Sequence, residues 1–255
     1  GKMQTINRVV KLLDFLSRYK DGVGVYEISE SIDLPLSTTH RMLSSLEENE
    51  FVVQDKITKK YKLGIRILSL AINILNDMDI IKISMPIIEE ISSKYGKLMF
   101  LSVLESDRVI CVDMVNNAQG MKFYVQVGSH MPVYCSASGK SIVAYQDDKK
   151  IDEILESEKR RKLTKNTKLN DKDIKNDLKM VRESGYAVCD EEMELGVVAL
   201  STPIRDRHGD AFASITIMLM KHLEYDKDQI IKDLKDASAK ISSYLGYKNE
   251  GGDSY

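Results

Sequence analysis

The chain has 255 residues, 43% hydrophobic and 30% charged, a globular composition with length enough for two domains. A formal net charge of −2 excludes a uniformly basic nucleic-acid binder, so any DNA-binding face must gather its cations locally. Three cysteines without a CxxC pair and four histidines without a ligand cluster argue against disulfide and zinc frameworks, and no apolar run nears the ~20 residues of a membrane helix.

The opening residues carry no secretory signal pattern, so a cytoplasmic protein with no membrane partner is expected. Residues 5–19 place Ile6, Val9, Val10, Leu12, Leu13 and Leu16 at helical spacing, and Asp21-Gly22 with Gly24 ends the segment. A shorter helix is predicted at 25–32, and Asp33-Leu34-Pro35 breaks it. A third helix runs from an N-cap at Ser37 to near Asn49, with Met42, Leu43 and Leu46 on its apolar face. Strand-like runs at 51–54 and 59–63 flank a DKIT turn. Helical spacing covers 63–75, breaks at 76–79 and resumes over 80–95, where Pro86 predicts a kink or restart.

From Leu98 the texture is strand-like: LMFLSVLES, RVICVDMV, FYVQV at 123–127 and MPVY at 131–134. SASGKSIVAY (136–145) reads as a loop opening a helix. Helices are predicted at 147–157 and 171–184, and strands at 186–189, 197–204 and 211–220. The last two strands join through a turn at Arg207–Asp210. A long amphipathic helix covers 225–245, and the polar stretch 248–255 is expected to be disordered. Together this is an α+β chain with a small N-terminal domain at 1–63, a linker helix at 64–79 and a larger domain at 80–247.

Helix, short helix, tight turn, helix and a two-stranded ribbon, in that order, form a winged helix-turn-helix. A helix entering the major groove needs short hydrogen-bonding side chains in its first turns. Ser37, Thr38, Thr39, His40, Arg41 and Ser44 fit that role, and no acid lies between Pro35 and Leu46. Lys59 and Lys60, with Lys56 and Lys62, make the ribbon basic and suited to phosphates. A three-helix module with a solvated polar face, or a protein-docking surface, fits the same spacing.

The stretch from Arg8 to Leu63 resembles the N-terminal domain of the IclR family of bacterial transcription regulators. RVVKLLDFL, YEISESIDLPLSTTHRMLSSLEENEFV and YKLG carry the likeness. VGSHMPVYCSASGKSIVAY, LTKNT and VRESGYAVCDEEMELGVVALSTPIRDRHGDAFASITI extend it through the C-terminal half. The resemblance implies a GAF-like effector domain with a curved antiparallel sheet and flanking helices. It also implies a homodimer or tetramer, a palindromic double-stranded operator, and commonly repression of a catabolic operon. No cofactor and no catalysis are expected.

GKS at 139–141 matches the tail of a P-loop, but the position that needs the motif's first glycine is Tyr134. What remains is a small-residue loop at a helix start, either a packing N-cap or an anion site. The resemblance favours an effector carboxylate at the backbone of Ser138, Gly139 and Lys140. It aligns further effector-binding positions with Ala137, Cys189, Ala199, Thr216 and Met218, and an apolar patch with Phe123, Met131 and Val197. Small-acid sensors of the family commonly have Asp, Cys and Ser where this chain has Cys189, Ala199 and Met218. A larger, less polar organic acid than glyoxylate or pyruvate is therefore expected. Cys189 and Met218 also fit as plain core residues, as do Cys111 and Cys135, and His130 fits as a local backbone partner. The alternative function is a small-molecule enzyme with its site at Ser136–Ser141 and Asp190–Glu194, but no nucleophile or metal set accompanies those carboxylates.

Overall fold

The structure, a computed structural model, describes residues 4–118 and 125–248. The expectations placed on Phe123 and on 249–255 lie outside the described residues. The chain divides into two compact units, Gly1–Asp77 and Met78–Tyr255.

The first unit contains α1 (Gln4–Leu16), α2 (Val25–Ser31), α3 (Leu36–Glu48), β1 (Val52–Gln54), β2 (Tyr61–Leu63) and α4 (Ile65–Asp77). The apolar stripes of α1, α2 and α3 meet in a core of Leu12, Leu16, Ile28, Ile32, Leu34 and Leu43, closed by Val52 and Tyr61 from the ribbon. Each such aliphatic side chain contributes roughly 1.5–3 kcal/mol on burial. β1 and β2 pair antiparallel, and Val23 bridges Tyr61, which ties the ribbon to the loop before α2. Gly64 is required where the ribbon returns past α3, because a Cβ there would lie 2.1 Å from Glu50 O.

The second unit contains α5 (Asp79–Tyr95), β3 (Leu98–Glu105), β4 (Arg108–Asn116), α6 (Ala137–Val143), α7 (Asp148–Ser157), α8 (Asp171–Ser184), β5 (Ala187–Asp190), β6 (Val197–Arg205), β7 (Ala211–Met220) and α9 (Lys227–Tyr244). Its sheet runs β4-β3-β7-β6-β5, with every neighbouring pair antiparallel. Alternation assigns the two faces. Leu200, Thr202 and Ile204 of β6 meet α9, where Thr202 Oγ1 donates to Leu234 O at 3.1 Å. Val197, Ala199 and Ser201 face the opposite side, which α6 covers.

Several expectations need correction. Val125–Tyr134 forms loop and turns, not strands, apart from a single bridge between His130 and Ile110. Two turn-forming residues, Gly128 and Pro132, with the tight turn that follows, prevent a continuous ladder there. Helix α5 passes through Pro86 without restarting. Helix α3 begins at Leu36 and not after Ser37, because Pro35 O accepts the Thr39 N–H at 3.0 Å.

Candidate functional site

In the first unit, α3 presents Ser37, His40, Arg41 and Ser44 to solvent, with Thr38 half-buried. Their spacing of three, four and seven puts the exposed four on one helical face. Thr39 is not on it. It is 0% exposed, and its Oγ1 donates to Pro35 O at 3.2 Å, so it belongs to the core and its assignment to DNA contact is withdrawn. Thr39 lies three, four and seven residues before Met42, Leu43 and Leu46, on the face that packs inward.

The ribbon turn is held by Asp55, whose carboxylate accepts the N–H groups of Ile57 at 2.9 Å and Thr58 at 2.7 Å. Those bonds, the Thr58 backbone first, hold the Asp55 carboxyl below its ordinary value of 3.8. Lys56, Lys59, Lys60 and Lys62 are exposed, and none has a carboxylate within 4.0 Å among the described residues. Four uncompensated ammonium groups beside a polar helix face match a polyanion.

In the second unit, a cavity of about 310 Å³ lies between the sheet and the segments above it. Ladder register assembles its floor. Cys189 pairs with Ala199 and Ala199 with Met218, so three strands deliver one cross-sheet rung. Thr216 pairs with Phe100 and completes the next. Met131, Ala137 and Val197 also line it, so seven of the residues singled out in the sequence (Met131, Ala137, Cys189, Val197, Ala199, Thr216 and Met218) meet around one space.

Ser138 and Gly139 do not line the cavity. Two of the three amides expected to hold an anion are already used. Ser136 Oγ accepts the Gly139 N–H at 3.0 Å, and Ser136 O accepts that of Lys140 at 3.1 Å. Gly139 serves packing: a Cβ there would sit 2.7 Å from Met131 O. The Thr216 hydroxyl donates to Ser201 Oγ at 2.9 Å, so it faces a ligand as an acceptor only.

Lys140 is 1% exposed and runs away from the cavity to Glu192 and Asp177, with Nζ to oxygen distances of 2.6 and 2.7 Å. Asp190 and Glu191 pair with Lys221, both at 2.7 Å. Three of the four carboxylates of the alternative enzyme reading, Asp190, Glu191 and Glu192, are thus committed to ion pairs, and Glu194 is not. His130 lies 4.0 Å from Glu158 and does not line the cavity. Burial, aided by Arg108, lowers its pKa below 6.5 and favours neutral imidazole. Cys111 and Cys135 are buried thiols, both pushed by burial to about 12.

Sequence reasoning missed Phe100, Val125, Arg161 and Leu163 as lining residues, and reached Ser136, Met193 and Glu194 only through the helix-start loop and the alternative enzyme site. Arg161 and Glu194 sit in loops, where no periodicity marks a facing direction. The hydroxyls that stitch these loops together were legible only as the run LTKNT. Thr164 Oγ1 donates to Glu191 O at 2.5 Å, and Thr167 Oγ1 donates to Glu192 O at 2.8 Å.

A winged helix-turn-helix followed in one chain by an antiparallel α+β unit defines a DNA-binding transcription regulator. Residues 5–56 match the IclR helix-turn-helix domain, and residues 72–243 match the domain described as bacterial transcriptional regulator IclR C-terminal. The chain belongs to the IclR family. It is 32% identical over 254 residues to an uncharacterized HTH-type transcriptional regulator of Haemophilus influenzae, covering 96% of this chain and 94% of that one. The DNA-binding transcriptional repressor YiaJ of Escherichia coli is 29% identical, over 96% of this chain and 88% of its own. An IclR homologue from Microbacterium hydrocarbonoxydans, solved in complex with 4-hydroxybenzoate, shares the fold with a TM-score of 0.80 at 21% identity, over 94% of this chain and 98% of that one.

Proposed function

We propose that this protein is a cytoplasmic repressor that binds a palindromic double-stranded operator as a homodimer or tetramer. A small organic acid in the cavity of the second unit controls it, and a catabolic operon is its target. The observation that carries the reading is the cavity itself, apolar on a floor of Phe100, Ala199 and Met218, in a chain that also bears a basic winged helix. Its volume of about 310 Å³ falls at the lower end of small-molecule sites, roughly 300–1,000 Å³.

The rung Cys189-Ala199-Met218 offers no strong hydrogen-bonding anchor. A polar ligand group left unpaired there costs about 1–3 kcal/mol. This favours an acid larger and less polar than glyoxylate or pyruvate. The 4-hydroxybenzoate bound by the Microbacterium relative is of that kind. Helix α4 supports self-association: Ile65, Leu68 and Ile74 are 68%, 58% and 62% exposed. A two-fold pair of such chains suits a two-fold operator.

A mobility-shift assay with DNA from upstream of the protein's own gene, with and without a panel of organic acids, tests the reading. Selective retention of that DNA, altered by one class of acid, is the expected result. Equal retention of unrelated DNA at every salt concentration would overturn it.

A further inference from the structure

Two charged residues of opposite sign line the cavity, the exposed Arg161 and the half-buried Glu194, and among the described residues neither is paired. No carboxylate lies within 4.0 Å of the Arg161 guanidinium, and no cation within that distance of the Glu194 carboxylate. Among the described residues, the only hydrogen bond from Arg161 is its backbone N–H to Tyr134 Oη, at 3.4 Å. Every other lining residue is apolar or carries a hydroxyl or thiol.

We infer that the cavity selects a monocarboxylic acid whose second polar group donates a hydrogen bond, with Arg161 taking the carboxylate and Glu194 accepting from the donor. The inference rests on the reading of this cavity as the effector site. A guanidinium offers five donors and suits a carboxylate in bidentate geometry. An ionised carboxylate only accepts, so Glu194 calls for a hydroxyl or ammonium and repels a second acid group.

Hydrogen bonds tie together the two loops that carry these residues. Arg161 precedes Thr164 and Thr167, whose hydroxyls donate to Glu191 O and Glu192 O, and Glu194 follows those two acceptors. Glu192 is in turn anchored on Lys140 of α6. The two residues therefore line the cavity from loops stitched to each other. Burial pushes the Glu194 carboxyl above its ordinary value of 4.5, and no cation offsets the shift. A ligand donor would supply the missing partner.

Calorimetric titration of the full chain with two matched series tests this. One is 4-hydroxybenzoate, benzoate and terephthalate; the other is 6-hydroxyhexanoate, hexanoate and adipate. In at least one series the hydroxy acid should bind tightest and the dicarboxylate weakest. Arg161→Gln should weaken the hydroxy acid and its parent acid alike, by about 10- to 100-fold. Glu194→Gln should abolish the preference for the hydroxyl and admit the dicarboxylate. Thermal melting of both variants checks that they fold. Acids that bind the wild type with no hydroxyl preference, or binding indifferent to both substitutions, would overturn this inference and leave the cavity reading standing. Failure of all six acids to bind would overturn the cavity reading and this inference with it.

Discussion

Lys140 Nζ lies 2.6 Å from Glu192 Oε2, and the lysine side chain is 1% exposed. The pair joins α6 to the loop between β5 and β6, which carries Met193 and Glu194 to the cavity. Asp177 of α8 meets the same ammonium at 2.7 Å and also takes Lys168 at 2.5 Å. Two positive and two negative groups thus balance inside the unit.

Removing one partner strands the other. Lys140→Met should destabilise the second unit by about 3–5 kcal/mol, because Glu192 is left buried without its cation. The double variant Lys140→Met, Glu192→Leu should recover most of that loss, since an apolar pair of similar volume is often no worse than the ion pair. Urea denaturation of the three proteins measures it. A double variant as unstable as the single one would contradict the account.

The same cluster sets a pH dependence. Burial opposes ionisation of Asp177, but Lys140 and Lys168 overcome it and hold its carboxyl below 3.8. Its stabilisation is therefore complete above the unfolded value and is lost as pH falls through the lower folded one. Burial likewise opposes the Lys140 charge, but Glu192 and Asp177 raise its pKa above 10.5, so that contribution persists to alkaline pH and is lost as pH rises through the folded value. Glu192 acts in the other sense, because burial raises it above 4.5 despite Lys140, so the ionised form costs stability at neutral pH that is regained in acid. Asp177→Asn isolates the first effect: the variant should be less stable than wild type at pH 7 and lose less between pH 5 and 3. Parallel urea midpoints across that range would rule it out.

Burial pushes the Cys189 thiol to about 11 and those of Cys111 and Cys135 to about 12. At pH 8 roughly one thiol in a thousand or fewer is then the reactive thiolate. The native protein should resist iodoacetamide, and all three cysteines should react once urea unfolds it. Mass spectrometry counts the adducts. Prompt native labelling of Cys189 would show that the cavity is wetter and more open than described.

The two faces of α3 and the ribbon make separable predictions. Arg41→Ala should weaken operator binding by about 1–3 kcal/mol and relax preference at one base position. Lys59→Ala should weaken all sequences similarly and reduce the salt slope by about one unit. Thr39→Ala should lower stability by less than about 2 kcal/mol and leave base preference intact, because its hydroxyl bonds only the helix backbone. A changed base preference for Thr39→Ala would return that residue to the DNA face.

Leu68→Glu, at a half-exposed apolar position of α4, tests self-association. Sedimentation should show the wild type as a dimer or larger at micromolar concentration and the variant shifted toward monomer. A wild-type monomer would remove the proposed role of α4.

The helices and most strands were legible because a 3.6- or 2-residue rhythm of apolar side chains is a local property, set by which face must leave water. Ser37, His40, Arg41 and Ser44 could be grouped for the same reason. Thr39 belongs by the same spacing to the apolar stripe of Met42, Leu43 and Leu46, and was grouped with the polar residues only because its side chain carries a hydroxyl. The turns at 125–134 were misread as strands because short apolar runs do not reveal whether a partner strand exists.

The cavity floor was legible only through the family likeness. Cys189, Ala199 and Met218 meet because antiparallel register aligns three strands, and register is set by packing along whole ladders. Arg161 and Glu194 lie in loops without periodic signal. Lys140 stood in the sequence as a small-residue helix start with a backbone to offer. Its partner Glu192 is 52 residues away, and only the packing of α6 against the β5–β6 loop brings the two charges together. What the amino-acid order determined alone was which segments would hide a face. Which residues share a space was decided by tertiary packing, because contacts between distant segments depend on the relative placement of whole elements and not on the spacing within any one of them.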